Sequence, residues 1–278
     1  MDARSAGRAR LTAVISAAAW ICLVVLTRPG LAVPTVTSFA RSLALAGFPL
    51  FAAALCAWCA VRSEAGSFLR ARWGLVGAGL AAFGLGQCIE EFYYVAWLMT
   101  QPPALSVGRG LIVAAPLLLS LAFGVAVWSY RHTVDIRRPL VTSVVVAVVL
   151  TAVGWTQLLG AALTGLVVSP KDTTLLVAYP VLLMWTVAAP LLACIMTVSQ
   201  LGNSALTWPW WLTGSGVLAM LGGSFLLVQE GLYTSPWSAG PGEMALWLGC
   251  ALIGVSAALE IDVQESVPAG QQRAQARA

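Results

Sequence analysis

Histidine, lysine and charge of either sign are nearly missing from this chain. Among 278 residues there is one histidine, His132, and one lysine, Lys171, and only 9% of the residues are charged while 59% are hydrophobic. A soluble domain carries about a quarter charged residues. This chain therefore lacks the polar surface to dissolve in water, and the sequence predicts that its solvent is lipid. A single histidine outside the apolar stretches excludes haem held by paired histidines and a histidine-built metal centre. Acid clusters that would hold Mg²⁺ for phosphoryl or prenyl transfer are absent, as is a retinal-type lysine within an apolar run. No metal, cofactor or nucleic-acid partner is expected. Abundant Ala, Leu, Val, Gly and Arg beside one lysine point to a high-GC bacterial source.

The six cysteines, Cys22, Cys56, Cys59, Cys88, Cys194 and Cys250, all fall inside apolar segments, which argues against a secreted disulfide framework. Cys56-Ala-Trp-Cys59 has redox-motif spacing, but without a second pair or a soluble redox fold it reads as two small packing residues one helical turn apart. The start, MDARSAGRAR before an apolar run, looks like the charged region of a signal peptide. Ala32-Val33-Pro34 is a poor cleavage site and further apolar runs follow, so an uncleaved first span is expected.

A membrane helix needs about 20 apolar residues. That rule predicts an all-α polytopic bundle of eight spans, at 11–27, 42–61, 73–98, 105–129, 140–166, 174–198, 207–229 and 242–261. Residues 1–10 form a cytoplasmic N-terminal segment, 11–261 the membrane domain, and 262–278 a polar tail expected to be disordered. With eight spans, eleven basic residues fall on one side: Arg4, Arg8, Arg10, Arg62, Arg70, Arg72, Arg131, Arg137, Arg138, Arg273 and Arg277. The other side has four, Arg28, Arg41, Arg109 and Lys171. The asymmetry predicts both termini in the cytoplasm of a bacterial plasma membrane.

The stretch WGLVGAGLAAFGLGQCIEEFYY, from Trp73 to Tyr94, departs most clearly from apolar filler. An acid inside a membrane-length segment is expensive and marks a functional site by default. On a helix, Gln87, Glu91 and Tyr94 share a face, with Glu90 beside them. Gly74, Ala78, Ala82 and Gly86 form a small-residue stripe leading to that face, which lets a neighbouring helix approach. Glu90 lies about 17 residues from the cytoplasmic end, roughly 25 Å by helix rise, near the outer boundary of the hydrocarbon. Arg109 opens the next span on the same side and is the expected counter-charge. A shift of 139 residues lays Glu91 on Glu230, Tyr94 on Tyr233 and Gly77 on Gly216, which suggests a parallel 4+4 repeat of 11–130 and 140–261.

These residues predict an outward-facing pocket charged by Glu90, Glu91, Glu230 and Arg109. Gln87, Tyr93, Tyr94, Gln157, Gln229, Tyr233, Trp97 and Trp237 would supply hydrogen bonds and aromatic walls. Such a pocket suits a cationic or amphipathic ligand or a proton, because two neighbouring carboxylates repel. The plain alternative is an interfacial belt, since Tyr and Trp gather at headgroup depth and acids at helix ends face water. Adjacent glutamates also occur in CAAX-type intramembrane proteases, but those need membrane histidines. Gly214-Ser215-Gly216 is similar to a rhomboid nucleophile motif, yet the preceding glycine and a membrane histidine are missing. A non-enzyme is therefore expected.

Tyr179-Pro180 within LLVAYPVLLMW, Thr213-Gly214-Ser215-Gly216, Trp247-Leu248-Gly249 and Pro102-Pro103-Ala104-Leu105-Ser106 together give residues 11–261 a recognisable pattern. It resembles the N-terminal multi-span region ahead of GGDEF and EAL domains in bacterial cyclic-di-GMP proteins. Val181-Leu182-Leu183 stand where that region often has an acid after its Tyr-Pro pair, and the 278 residues contain no GGDEF or EAL output domain. The resemblance implies a non-enzymatic sensory or ligand-binding module that signals through a cytoplasmic or membrane partner, alone or as an oligomer. The alternatives are a small secondary transporter or proton-coupled carrier, with Pro49, Pro180 and Pro190 interrupting helices, and a structural subunit of a membrane complex.

Overall fold

The computed structural model describes residues 7–27, 34–96, 106–154, 156, 186–200, 207–230 and 240–275. Side chains are described for all of these except 34, 35, 94–96, 150, 151, 154, 228–230 and 266–275. Eight helices and no strand lie among the described residues: α1 (Gly7–Leu26), α2 (Pro34–Arg62), α3 (Phe68–Ala96), α4 (Val107–Ser129), α5 (Arg137–Gly154), α6 (Ala188–Ser199), α7 (Trp208–Glu230) and α8 (Pro241–Gln275).

Five of them, α1, α2, α4, α7 and α8, are long and apolar enough to cross a membrane. Their outward faces carry Leu43, Val61, Leu117, Leu121, Leu218 and Leu248, all exposed. Water would not tolerate so continuous an apolar exterior, and the protein is membrane-embedded. Three of the expected spans, those of α3, α5 and α6, fall outside the five. In α3 the glycines, Gln87 and two adjacent glutamates dilute the apolar run, α5 is described for only 18 residues, and α6 for only 12.

Helix packing forms a closed circuit. α2 packs on α3, α3 on α4, α4 on α6, α6 on α7, α7 on α8, and α8 returns to α2; α1 lies against α8 and α2, and α5 against α6. Trp73, Phe123 and Trp247 are fully buried in the core, with Trp247 of α8 stacked on Phe48 of α2 at 6.4 Å between ring centres. Polar side chains fasten neighbouring helices where lipid offers no competing partner. Trp20 Nε1 donates to the Met244 carbonyl at 3.0 Å, joining α1 to α8, and the Thr213 and Ser256 hydroxyls meet at 2.8 Å between α7 and α8.

Two helix pairs cross on small residues. A Cβ at Gly86 would lie 2.8 Å from the Gly108 carbonyl oxygen, so α3 and α4 touch backbone to backbone; α7 and α8 do the same where a Cβ at Gly223 would lie 2.6 Å from the Gly242 oxygen. Gly86 and the buried Ala82 belong to the stripe expected on α3, but its other half differs: Ala78 is exposed and a Cβ at Gly74 would meet nothing. The reason is that α3 has two partners rather than one. Gly79 and Gly86 face α4, and Gly77 and Gly84 face α2.

Two features depart from expectation. The tail expected to be disordered from residue 262 is helical to Gln275 in α8. Its first part is held by α1: Ala9 N–H donates to Asp262 Oδ2 at 2.9 Å, and Arg8 pairs with Glu265 at 2.7 Å. An acid facing the exposed N–H groups of a helix start is favourable. α2 runs without interruption through Pro49, whereas Pro190 stands in the first turn of α6, directly after a turn at Val187 that separates α6 from helical Thr186. Pro180 lies outside the described residues.

Candidate functional site

Glu90 and Glu91 sit in the last two turns of α3. Consecutive helix positions point about 100° apart, and here that divergence gives the two acids different partners. Glu90 is buried at 7% exposure and faces the start of α4. Ser106, extended just ahead of α4, accepts the Arg109 backbone N–H at 2.9 Å and so caps the helix; the same hydroxyl donates to Glu90 Oε1. Arg109 Nη2 reaches Glu90 Oε2 at 3.2 Å. Glu91 turns the other way and accepts from Ser42 Oγ of α2 at 2.9 Å.

A second ion pair lies at the same end. Arg41 of α2 grips Glu243 of α8, Nε lying 2.8 Å from Oε1 and 2.9 Å from Oε2. Glu243 is 3% exposed, in the first turn of α8, where an acid suits the positive end of the helix dipole. Arg41 is expected only as one of four basic residues on the outer side, and nothing local announces its pairing with Glu243, 202 positions away.

The expected pairing of Arg109 with Glu90 is present. Gln87 is half-buried one turn back. Tyr94 and Glu230 lie in α3 and α7 with their side chains outside the described set, and Tyr233 lies outside the described residues, as do Trp97, Gln157 and Trp237. Sequence reasoning missed the two serines. Ser106 could have been found, since a serine immediately before an apolar helical run is a cap signal.

It also missed the opposite end. Arg72, counted only as one of several loop arginines, is 2% exposed. Its guanidinium carbon lies 3.4 Å from the ring centre of Trp210 on α7 and 4.4 Å from that of Trp73. Tyr130, at the C-terminus of α4, meets Trp210 edge to face at 5.9 Å. Burial raises the Tyr130 phenol above its ordinary value, against an opposing effect of Arg72, so the hydroxyl is neutral at physiological pH. The four cysteines buried in the core, Cys56, Cys59, Cys194 and Cys250, are free thiols, and no group of three or more His, Cys, Asp or Glu among the described residues is arranged to hold a metal.

No family model, curated protein or solved structure matches the chain. The chemistry of its own residues carries the functional reading.

Proposed function

We propose that the protein is a non-enzymatic sensory or ligand-binding membrane module, and that the Glu90-Glu91 pair is its responsive element. One observation carries this reading: adjacent carboxylates hold α3 to two different neighbours, Glu90 to α4 through Ser106 and Arg109, and Glu91 to α2 through Ser42. A proton or a cationic ligand that competes for either acid loosens α3 on that side and shifts helix packing. A local charge change acting on a packed helix with two arrangements is the general form of a membrane switch.

In this reading the chain spans a bacterial plasma membrane eight times with both termini cytoplasmic. Arg8, Arg62 and Arg72 gather at the end of the bundle marked by Asp262 and Tyr130, while Arg41 and Arg109 lie at the other. That distribution agrees with the positive-inside rule if the Arg72 end is cytoplasmic. The similar glycine crossings of α3 on α4 and of α7 on α8 support a repeat, though the contacts lay Gly79 over Gly216 and Gly86 over Gly223, two residues out of step with the alignment of Gly77 on Gly216. Signalling passes to a cytoplasmic or membrane partner, as the resemblance to GGDEF- and EAL-linked membrane regions implies. A carrier is less well supported, because α2 is unbroken at Pro49.

The experiment is thermal unfolding of the full chain in nanodiscs, with acidification and with tetraphenylphosphonium as a lipophilic cation. Wild type should shift its Tm in at least one series, and the Glu90→Gln/Glu91→Gln double variant should lose that shift. An identical response in both proteins, or none in wild type, rejects the reading.

A further inference from the structure

Arg72 stands out in the bundle because its three guanidinium nitrogens are all buried and none makes a hydrogen bond among the described residues. An arginine does not escape this by losing its proton, and a buried charge without partners is costly. The stacked rings of Trp73 and Trp210 offset part of that cost by cation–π attraction. They act on the face of the guanidinium, however, whereas its five N–H bonds lie in its plane. Stacking therefore leaves the donors without a hydrogen-bond acceptor. The Trp73 indole N–H, on the next residue, is also buried without an acceptor. Glu260 of α8 is the acid near enough to act on Arg72 through space, yet it forms no ion pair with it.

We propose that Arg72 anchors a second binding site, at the end of the bundle opposite Glu90, for an oxyanion: the phosphate of a lipid headgroup or a free phosphate. A guanidinium fork takes two oxygens of such a group in its own plane, the geometry in which arginine binds most strongly. Arg72 and Trp210 lie in the first two turns of α3 and α7, and Tyr130 follows the last turn of α4. The site is thus at helix ends, the depth at which headgroups meet a membrane-embedded bundle, and basic pockets between membrane helices are suited to anionic lipid. Its residues are distinct from the Glu90-Glu91 cluster, so it stands or falls independently of the proposed switch.

The test is the Tm of the full chain in phosphatidylcholine nanodiscs, in the same discs with phosphatidylglycerol added, and in phosphatidylcholine discs with inorganic phosphate. A saturable rise of several degrees with phosphatidylglycerol alone identifies a headgroup; a rise with inorganic phosphate alone identifies a free anion; both support the oxyanion site. Arg72→Gln should abolish the rise, and Arg70→Gln, at an exposed arginine of the same end, should retain it. Should Arg72→Gln fail to fold, Arg72→Lys, which keeps the charge but not the fork, should weaken the response, and Glu260→Gln, which removes the competing acid, should strengthen it. No rise in wild type, an equal rise in the Arg72 variants, or an equal loss in Arg70→Gln overturns the proposal.

Discussion

Arg109 and Glu243 occupy matching places and carry opposite charges. Each follows the glycine on which its helix crosses the preceding one, Gly108 on α4 and Gly242 on α8, and each forms an ion pair at the same end of the bundle. Their partners lie in different directions. Arg109 reaches back across its own hairpin to Glu90 on α3, while Glu243 reaches Arg41 on α2 and so helps close the helix circuit. The first pair staples neighbours in sequence, the second joins the two ends of the fold.

Arg41→Gln should therefore be among the most damaging single changes at this end. It leaves the Glu243 carboxylate buried without its cation, a situation that costs about 3–5 kcal/mol. Replacing both residues with apolar ones, Arg41→Met with Glu243→Met, should recover most of that loss, because no buried charge is left behind. Tm values for the two singles and the double give the cycle; a double variant as unstable as the sum of the singles would show that the pair does not act as a unit.

Ser106 serves α4 and Glu90 at once. Ser106→Ala removes the cap on the Arg109 N–H and a donor to Glu90, so a loss of about 1–2 kcal/mol is expected. Ser106→Asp keeps a cap but sets a second acid against Glu90, and should be worse than alanine. Stability of the two variants in one detergent checks the order, and an aspartate variant as stable as wild type would mean that Glu90 does not face this cap.

Much of this arrangement is legible from the sequence because lipid simplifies the code. The length of apolar runs located most of the helices, and Arg109 was found as the partner of Glu90 because both border the same short connection. What could not be read was long-range. Nothing local links Arg41 to Glu243, or Arg72 to Trp210, since these contacts exist only after the circuit closes. The extension of α8 was missed for a related reason. Its polar composition reads as a tail when taken alone, and becomes helical where Asp262 and Glu265 find the start of α1.

Cys22 and Cys88 are exposed within α1 and α3, whereas Cys56, Cys59, Cys194 and Cys250 are buried. In a lipid-covered bundle exposure means contact with acyl chains, where a thiol has no water to support its reactive thiolate. A water-soluble maleimide should leave all six unmodified in intact membranes. Unfolding in sodium dodecyl sulfate should release all six. Rapid aqueous labelling of Cys22 or Cys88 in membranes, scored by mass spectrometry, would mean that its face lines a wet cavity.

The α7–α8 crossing offers a test of close packing with an internal control. A Cβ at Gly223 would sit 2.6 Å from a backbone oxygen of Gly242, which cannot move aside as a flexible side chain could, while a Cβ at the adjacent Gly222 would meet nothing within 4 Å. Gly223→Ala should force the helices apart and cost about 1–3 kcal/mol, the usual range for overpacking. It should also stretch the Thr213–Ser256 contact farther along the same interface. Gly222→Ala adds the same atom to the same helix and should be neutral or stabilising by up to about 1 kcal/mol, since alanine is the better helix former. Because helix propensity favours both changes equally, the difference in Tm between the two variants isolates the crossing, and equal Tm values would show that α7 and α8 do not meet at Gly223.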